Sequence, residues 1–191
     1  MPKCKTTSNR VKPSYMKADE LLEYYRWGER DFRGVNLRGI SLRDVRLRDV
    51  DLNCADLRGA SLMIVDLSGA NLHQADLSGA FLIHSNLSFA NLTQANLTKA
   101  FLILANLHHS CLTEANLSQA NLTKANLSEV NGFAEAILNQ TVSTGALLLP
   151  GSPQAGFRPL HHLQNWKFQR WKLWRLRDYL GNQELVLAAV A

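Results

Sequence analysis

From Leu37 to Leu127 every fifth residue is leucine, without a miss over nineteen units. The position two before each leucine is Ala, Val, Ile or Ser, from Val35 through Ala125. The position just before it is mainly Asn or Asp, and the position after it is Arg, Ser or Thr in most units. Along extended backbone, residues two apart share a side. In Ala75-Asp76-Leu77-Ser78-Gly79, then, Ala75 and Leu77 point one way and Asp76 and Ser78 the other. Gly79 breaks the alternation and lets the chain bend. The pattern predicts inward, outward, inward, outward, corner. Repeated, it makes a solenoid with a leucine column for a core.

A second period sets the size of the coil. Ser61-Leu62-Met63-Ile64, Phe81-Leu82-Ile83-His84 and Phe101-Leu102-Ile103-Leu104 interrupt the polar outward pattern at intervals of twenty residues. Arg38 and Arg58, and Gly39, Gly59 and Gly79, share that interval. Four pentads per coil fits; three would scatter the triplets over different sides. Stacked rungs about 4.8 Å apart predict ladders of asparagine and of hydroxyl side chains.

A unit reading small, Asn/Asp, Leu/Phe, Ser/Thr/Arg, variable resembles the pentapeptide-repeat proteins, of the type abundant in cyanobacteria. The resemblance covers roughly residues 31 to 131. It implies an all-β solenoid, a right-handed quadrilateral β-helix with four short sides per coil, and no catalytic residues. Members include gyrase-binding quinolone-resistance proteins, which are acidic, rod-shaped DNA mimics.

The ends read differently. Residues 1–16 form a basic extension without the apolar stretch of a secretory signal, and Met16 is a candidate second start. Residues 17–28 are predicted to be a capping helix. Asp19 and Glu20 suit its first turn, Arg26 its last and Gly28 the position after it. Ala18, Leu21, Leu22 and Tyr25 share a face, predicted to lie over the first coil with Trp27 and Phe32 closing the core. The repeats occupy 29–148. Gly132 takes a leucine slot, and Ile137, Val142 and Leu147 hold the register in a degenerate last coil. A linker at 149–160 contains Pro150-Gly151-Ser152-Pro153. Residues 161–191 are basic and rich in Trp, and a helix is the expected form of 161–180, before Gly181.

The 191-residue chain carries net charge +5. No stretch reaches the ~20 apolar residues of a membrane span, and the cytoplasm is the expected compartment. Cys4, Cys54 and Cys111 lack metal-ligand spacing and read as unpaired thiols; Cys54 and Cys111 lie on one side, about 14 Å apart. His73, His84, His108 and His109 fall on three sides, with His108 and His109 pointing apart or at a corner, so no metal ion is expected. Nor does a nucleophile triad, carboxylate pair or phosphate-binding loop stand out. The chain reads as a non-enzyme without a cofactor.

Three surfaces remain. The first is an apolar stripe of Met63, Ile64, Phe81, Ile83, Phe101, Ile103 and Leu104. Such a patch marks a protein partner or self-association, unless the chain's own C-terminal segment covers it through Trp166, Trp171, Leu173 or Trp174. The second is the basic opening of Arg30, Arg33, Arg38, Arg43, Arg46, Arg48 and Arg58. Asp31, Asp44, Asp49, Asp51 and Asp56 are interleaved with it, so self-compensation is favoured over nucleic-acid binding. The third is Lys167, Arg170, Lys172, Arg175 and Arg177 beside tryptophans, an alternative contact for an anionic membrane surface or single-stranded nucleic acid. Packing and capping is the favoured role for that segment.

Overall fold

The computed structural model describes residues 15–147 and the pair 186–187. The residue two after each leucine turns the chain. Where it is not glycine its φ lies between 55° and 62°, at Asp44, Ile64, Phe89 and Lys124 among others. The turn closes on the leucine carbonyl, as where the Ala60 amide donates to Leu57 at 3.0 Å. Left-handed φ at this third position is the demand that glycine meets most cheaply. A residue with a Cβ costs about 1–2 kcal/mol there, while each leucine seated by the turn contributes about 2 kcal/mol. The leucine column therefore carries corners as unsuited as Ile64.

Coils repeat at twenty residues. Parallel bridges join Asn36 to Asp56, Asp56 to Asp76, and so on to Asn96 with Asn116, one bridge per side per coil rather than long strands. Leu57 donates to the Asp76 carbonyl at 2.7 Å, and Asp76 donates back to Ala55 at 2.9 Å. Every leucine of the five-residue series from Leu37 to Leu127 is buried.

The Asn/Asp before each leucine has two tasks. Its side-chain oxygen accepts from the amide two residues on, as Asp76 does from Ser78 at 3.0 Å. The same Asp76 oxygen accepts from the Asn96 amide group of the next coil at 3.1 Å. Along one side this makes a directional ladder, Asn126 to Asn106 to Asn86 to Asp66. The predicted hydroxyl ladders do not form among the described residues. Thr98, Thr123 and Ser128 instead donate to the asparagine of their own pentad, which is nearer than the next rung.

One inward position is mismatched. Ser110 is fully buried in a slot that other coils fill with Ala or Val, and its hydroxyl has no partner. Ser85 solves the same problem by donating to the Leu82 carbonyl at 2.7 Å. Ser110→Ala is expected to raise the unfolding free energy by about 1–2 kcal/mol. A higher urea midpoint checks this; a lower one would mean that the hydroxyl is bonded after all.

At the N-terminal end, α1 spans Ala18–Arg26. The Glu20 carboxylate accepts from the Lys17 amide at 3.0 Å. Beyond the last turn the Gly28 amide donates to Tyr25 and the Glu29 amide to Tyr24, with Gly28 at φ 91°, a paired C-terminal cap. Leu21 is buried, and Ala18, Leu22, Tyr24 and Tyr25 pack on the core. Phe32 is the first inward rung. Trp27 does not close the core. It lies past the last helical turn, 69% exposed and edge-on to Tyr24. Met16 takes that place at 1% exposure. Tyr15 bridges to Asn36 and the Met16 amide donates to Asn36 at 3.2 Å, so these two residues belong to the first rung rather than to a free extension. They cover a sheet edge that would otherwise be open.

The other end departs from the expected register. Ile137, Val142 and Leu147 pair with Asn116, Asn121 and Asn126, which are outward positions, twenty-one residues away rather than twenty. The turn at 132–136 holds one extra residue, and a one-residue slip exchanges the two sides of the backbone. Ile137 and Val142 are accordingly about half exposed, while Ala136 and Leu138 pack inward. β1 (Ala146–Leu147) pairs antiparallel with β2 (Val186–Leu187). The predicted linker and C-terminal helix lie outside the described residues. Among those described, no helix is long and apolar enough to cross a membrane.

Candidate interaction surface

All seven stripe residues lie on one side of the coil. Ser61, Phe81 and Phe101 form one bridged column. Met63, Ile83 and Ile103 form the next, and Ile64, His84 and Leu104 the corner beside it. The Ile64 amide donates to Ile83, His84 to Ile103 and Leu104 to Thr123, at 2.9–3.0 Å, which locks the columns in step. Phe81 and Phe101 stack with ring centroids 5.0 Å apart and planes 3° from parallel. Ile64, Phe81, Phe101 and Leu104 are 38–43% exposed. Met63, Ile83 and Ile103 are half-buried between them.

The stripe carries a local cost. Phenylalanine offers no oxygen to the amide two residues on, so Ile83 and Ile103 lose the side-chain acceptor that Asn121 restores to Thr123 at 3.0 Å. Each such bond is worth about 1 kcal/mol. The stripe ends in polar borders: Ser41, Arg43 and Asp44 in the first coil, and Asn121, Thr123 and Lys124 in the fifth.

The pentad pattern drew attention away from a second aromatic feature. Phe89 sits at the next corner, 63% exposed, and stacks on His109 at 5.1 Å. His109 sits at a corner, one of the two expected placements, but the two rings do not point apart; their centroids are 4.1 Å apart. His108 Nδ1 lies 2.8 Å from the Ser128 hydroxyl, and His109 Nε2 lies 3.3 Å from the Glu129 carboxylate. The interval of twenty that joins positions 89, 109 and 129 was the available signal. Among the described residues, no group of His, Cys, Asp and Glu could hold a metal ion.

The basic opening is largely committed internally. Arg33 is ion-paired with Asp31 at 2.7 Å, Arg48 with Asp66 and Arg58 with Asp56. Arg30 lies over the Tyr25 ring at 3.7 Å and donates to the Tyr25 and Glu29 carbonyls. The hydrogen bond from Arg58 holds the Asp56 carboxyl below its ordinary range. Burial pushes Asp66 up, but hydrogen bonds from Arg48 and Ser68 outweigh it and the net shift is downward.

The cysteines differ from expectation at one position. Cys54 is disulfide-bonded rather than an unpaired thiol. Cys111 is free and occupies an Asn slot. Burial raises its thiol, but the Thr113 and Thr93 hydroxyls bring the net shift downward. Lys167, Arg170, Lys172, Arg175 and Arg177 lie outside the described residues.

The sequence profile for pentapeptide repeats matches in eight copies, at residues 31–63, 66–102 and 102–131. No curated protein matches the chain. Among solved structures, the chain is similar to Rfr23, a pentapeptide repeat protein from the cyanobacterium Cyanothece 51142. That similarity is 27% identity over 68% of this chain and 97% of the other, with a TM-score of 0.44. It is also similar to alr5209, a pentapeptide repeat protein from Nostoc Pcc 7120, at 30% identity over 66% and 99%, with a TM-score of 0.49. With its repeats matched over more than half its length, the chain belongs to the pentapeptide-repeat family.

Proposed function

We propose that the protein is a non-enzymatic scaffold, a right-handed quadrilateral β-helical rod that presents the stripe to a protein partner. The observation that carries this reading is the stacked, exposed pair Phe81 and Phe101 in a column that elsewhere holds polar Ser41, Ser61 and Asn121. The substitution gives up local bonds, and a contact that buries the rings would offset that loss. A DNA-mimic role is disfavoured by charge. It needs a strongly negative rod, whereas this chain carries net +5 and only Asp66, Asp76, Glu114 and Glu129 as acids between positions 59 and 130.

The test compares the intact chain with Phe81→Ser/Phe101→Ser as affinity baits. The exchange is expected to abolish binding of any protein held through the stripe, with the thermal midpoint kept because both rings are surface groups. Identical bound proteins for the two baits, together with an identical oligomeric state, would end the reading.

A further inference from the structure

We infer that the stripe's occupant is a second copy of this chain, docked antiparallel about a two-fold axis through the third coil. This rests on the contact-surface reading above and adds the partner and its direction.

Two copies set this way are complementary along one side of the rod. Five coils contribute residues 41–44, 61–64, 81–84, 101–104 and 121–124. A two-fold axis across the rod, lying in the interface, sets the first coil against the fifth and the second against the fourth, each column facing its own counterpart. Asp44 then meets Lys124 of the other copy, and Lys124 meets its Asp44. Ile64 meets Leu104, Met63 meets Ile103 and Phe101 meets Ser61. Ile83, Phe81 and His84 meet themselves at the axis. An apolar centre is thus closed at both ends by opposite charges. Asp44 and Lys124 are both exposed, and neither has an ion-pair partner among the described residues.

The competing arrangements match less well. Set coil against like coil, Asp44 lies level with Asp44 and Arg43, and Lys124 lies level only with Lys124, so the fifth coil meets like charge. The C-terminal segment carries five cations at 167–177, whereas the stripe's borders offer one carboxylate, Asp44, against Arg43 and Lys124. Charge therefore favours a second copy over that segment. One side of five coils is about 19 Å from first rung to last. That is a small interface, below the ~1,200 Å² of stable specific complexes, so the dimer dissociates on dilution.

The test is sedimentation velocity on the full chain across a concentration series. Wild type is expected to show a concentration-dependent dimer. Asp44→Lys leaves six cations and no carboxylate at the borders of the dimer and is expected to weaken it about 10-fold or more. Asp44→Lys/Lys124→Asp is expected to restore it. Both residues already occur at left-handed corners, as Lys99 and Asp49, so the exchanges suit the backbone. A wild type that is monomeric throughout, a dimer indifferent to Asp44→Lys, or a double exchange that fails to restore association would overturn the inference. If a monomeric wild type still binds another protein that Phe81→Ser/Phe101→Ser loses, the dimer fails and the contact surface stands.

Discussion

Replacing Leu92 with alanine is expected to lower the unfolding free energy by about 3–5 kcal/mol. Leu92 is fully buried, with Leu72 and Leu112 above and below it in the column. The cost should fall at the high end because the hole cannot close. The Leu92 amide bonds the Cys111 carbonyl and the Leu72 amide bonds Asn91, both at 2.8 Å, so the rung spacing is set by backbone and not by the side chain. Ser78→Ala, an outward position, is expected to change stability by no more than about 0.5 kcal/mol. Urea denaturation of the two variants measures the contrast. A loss under about 1 kcal/mol for Leu92→Ala would mean that the column is not packed at interior density.

The second large effect is expected at Gly132. It sits at φ 70°, and a Cβ there would lie 2.5 Å from the Thr113 amide nitrogen and 2.6 Å from its Cα. Those are backbone atoms of the coil above and cannot rotate aside. Gly79 makes the comparison fair: its φ is 66°, yet nothing lies within 4 Å of a Cβ built on it. Gly79→Ala should cost about 1–2 kcal/mol, the ordinary penalty of a left-handed corner. Gly132→Ala adds a backbone clash and is expected to detach the last coil. Hydrogen exchange reads this locally. The amides of Ile137, Val142 and Leu147, which donate to Ala115, Ala120 and Ala125, should lose protection while those of Leu57 and Leu77 keep it. Equal protection in the two glycine variants would show that the final turn can move away from Thr113.

How much was legible beforehand depended on whether a residue's place follows from its distance to its neighbours in the repeat. The stripe was legible because Phe81 and Phe101 are one coil apart, and one coil brings an outward residue back to the same side. The last coil was misread for the same reason. Ile137, Val142 and Leu147 keep step with the leucines in number, but one more residue fits into the turn after Asn131 and reverses their direction. No five-residue count reveals how many residues a turn at a glycine takes up. Phe89 and its histidine neighbours were legible in principle, but a single phenylalanine among polar corners carries no repeating signal.

By itself the sequence determined the pentad, the four-sided coil and the leucine core, since each is a matter of period, and period survives without coordinates. Only the tertiary structure decided which groups close the ends. Met16 pairs with the first rung and Trp27 is left outside, because a helix end fixes where the next side chain can reach. It also decided that Arg33, Arg48 and Arg58 are bound to carboxylates while Asp44 and Lys124, on the side that carries the stripe, have no ion-pair partner among the described residues. Ion pairs depend on separations across coils, and charge order along the chain does not specify them.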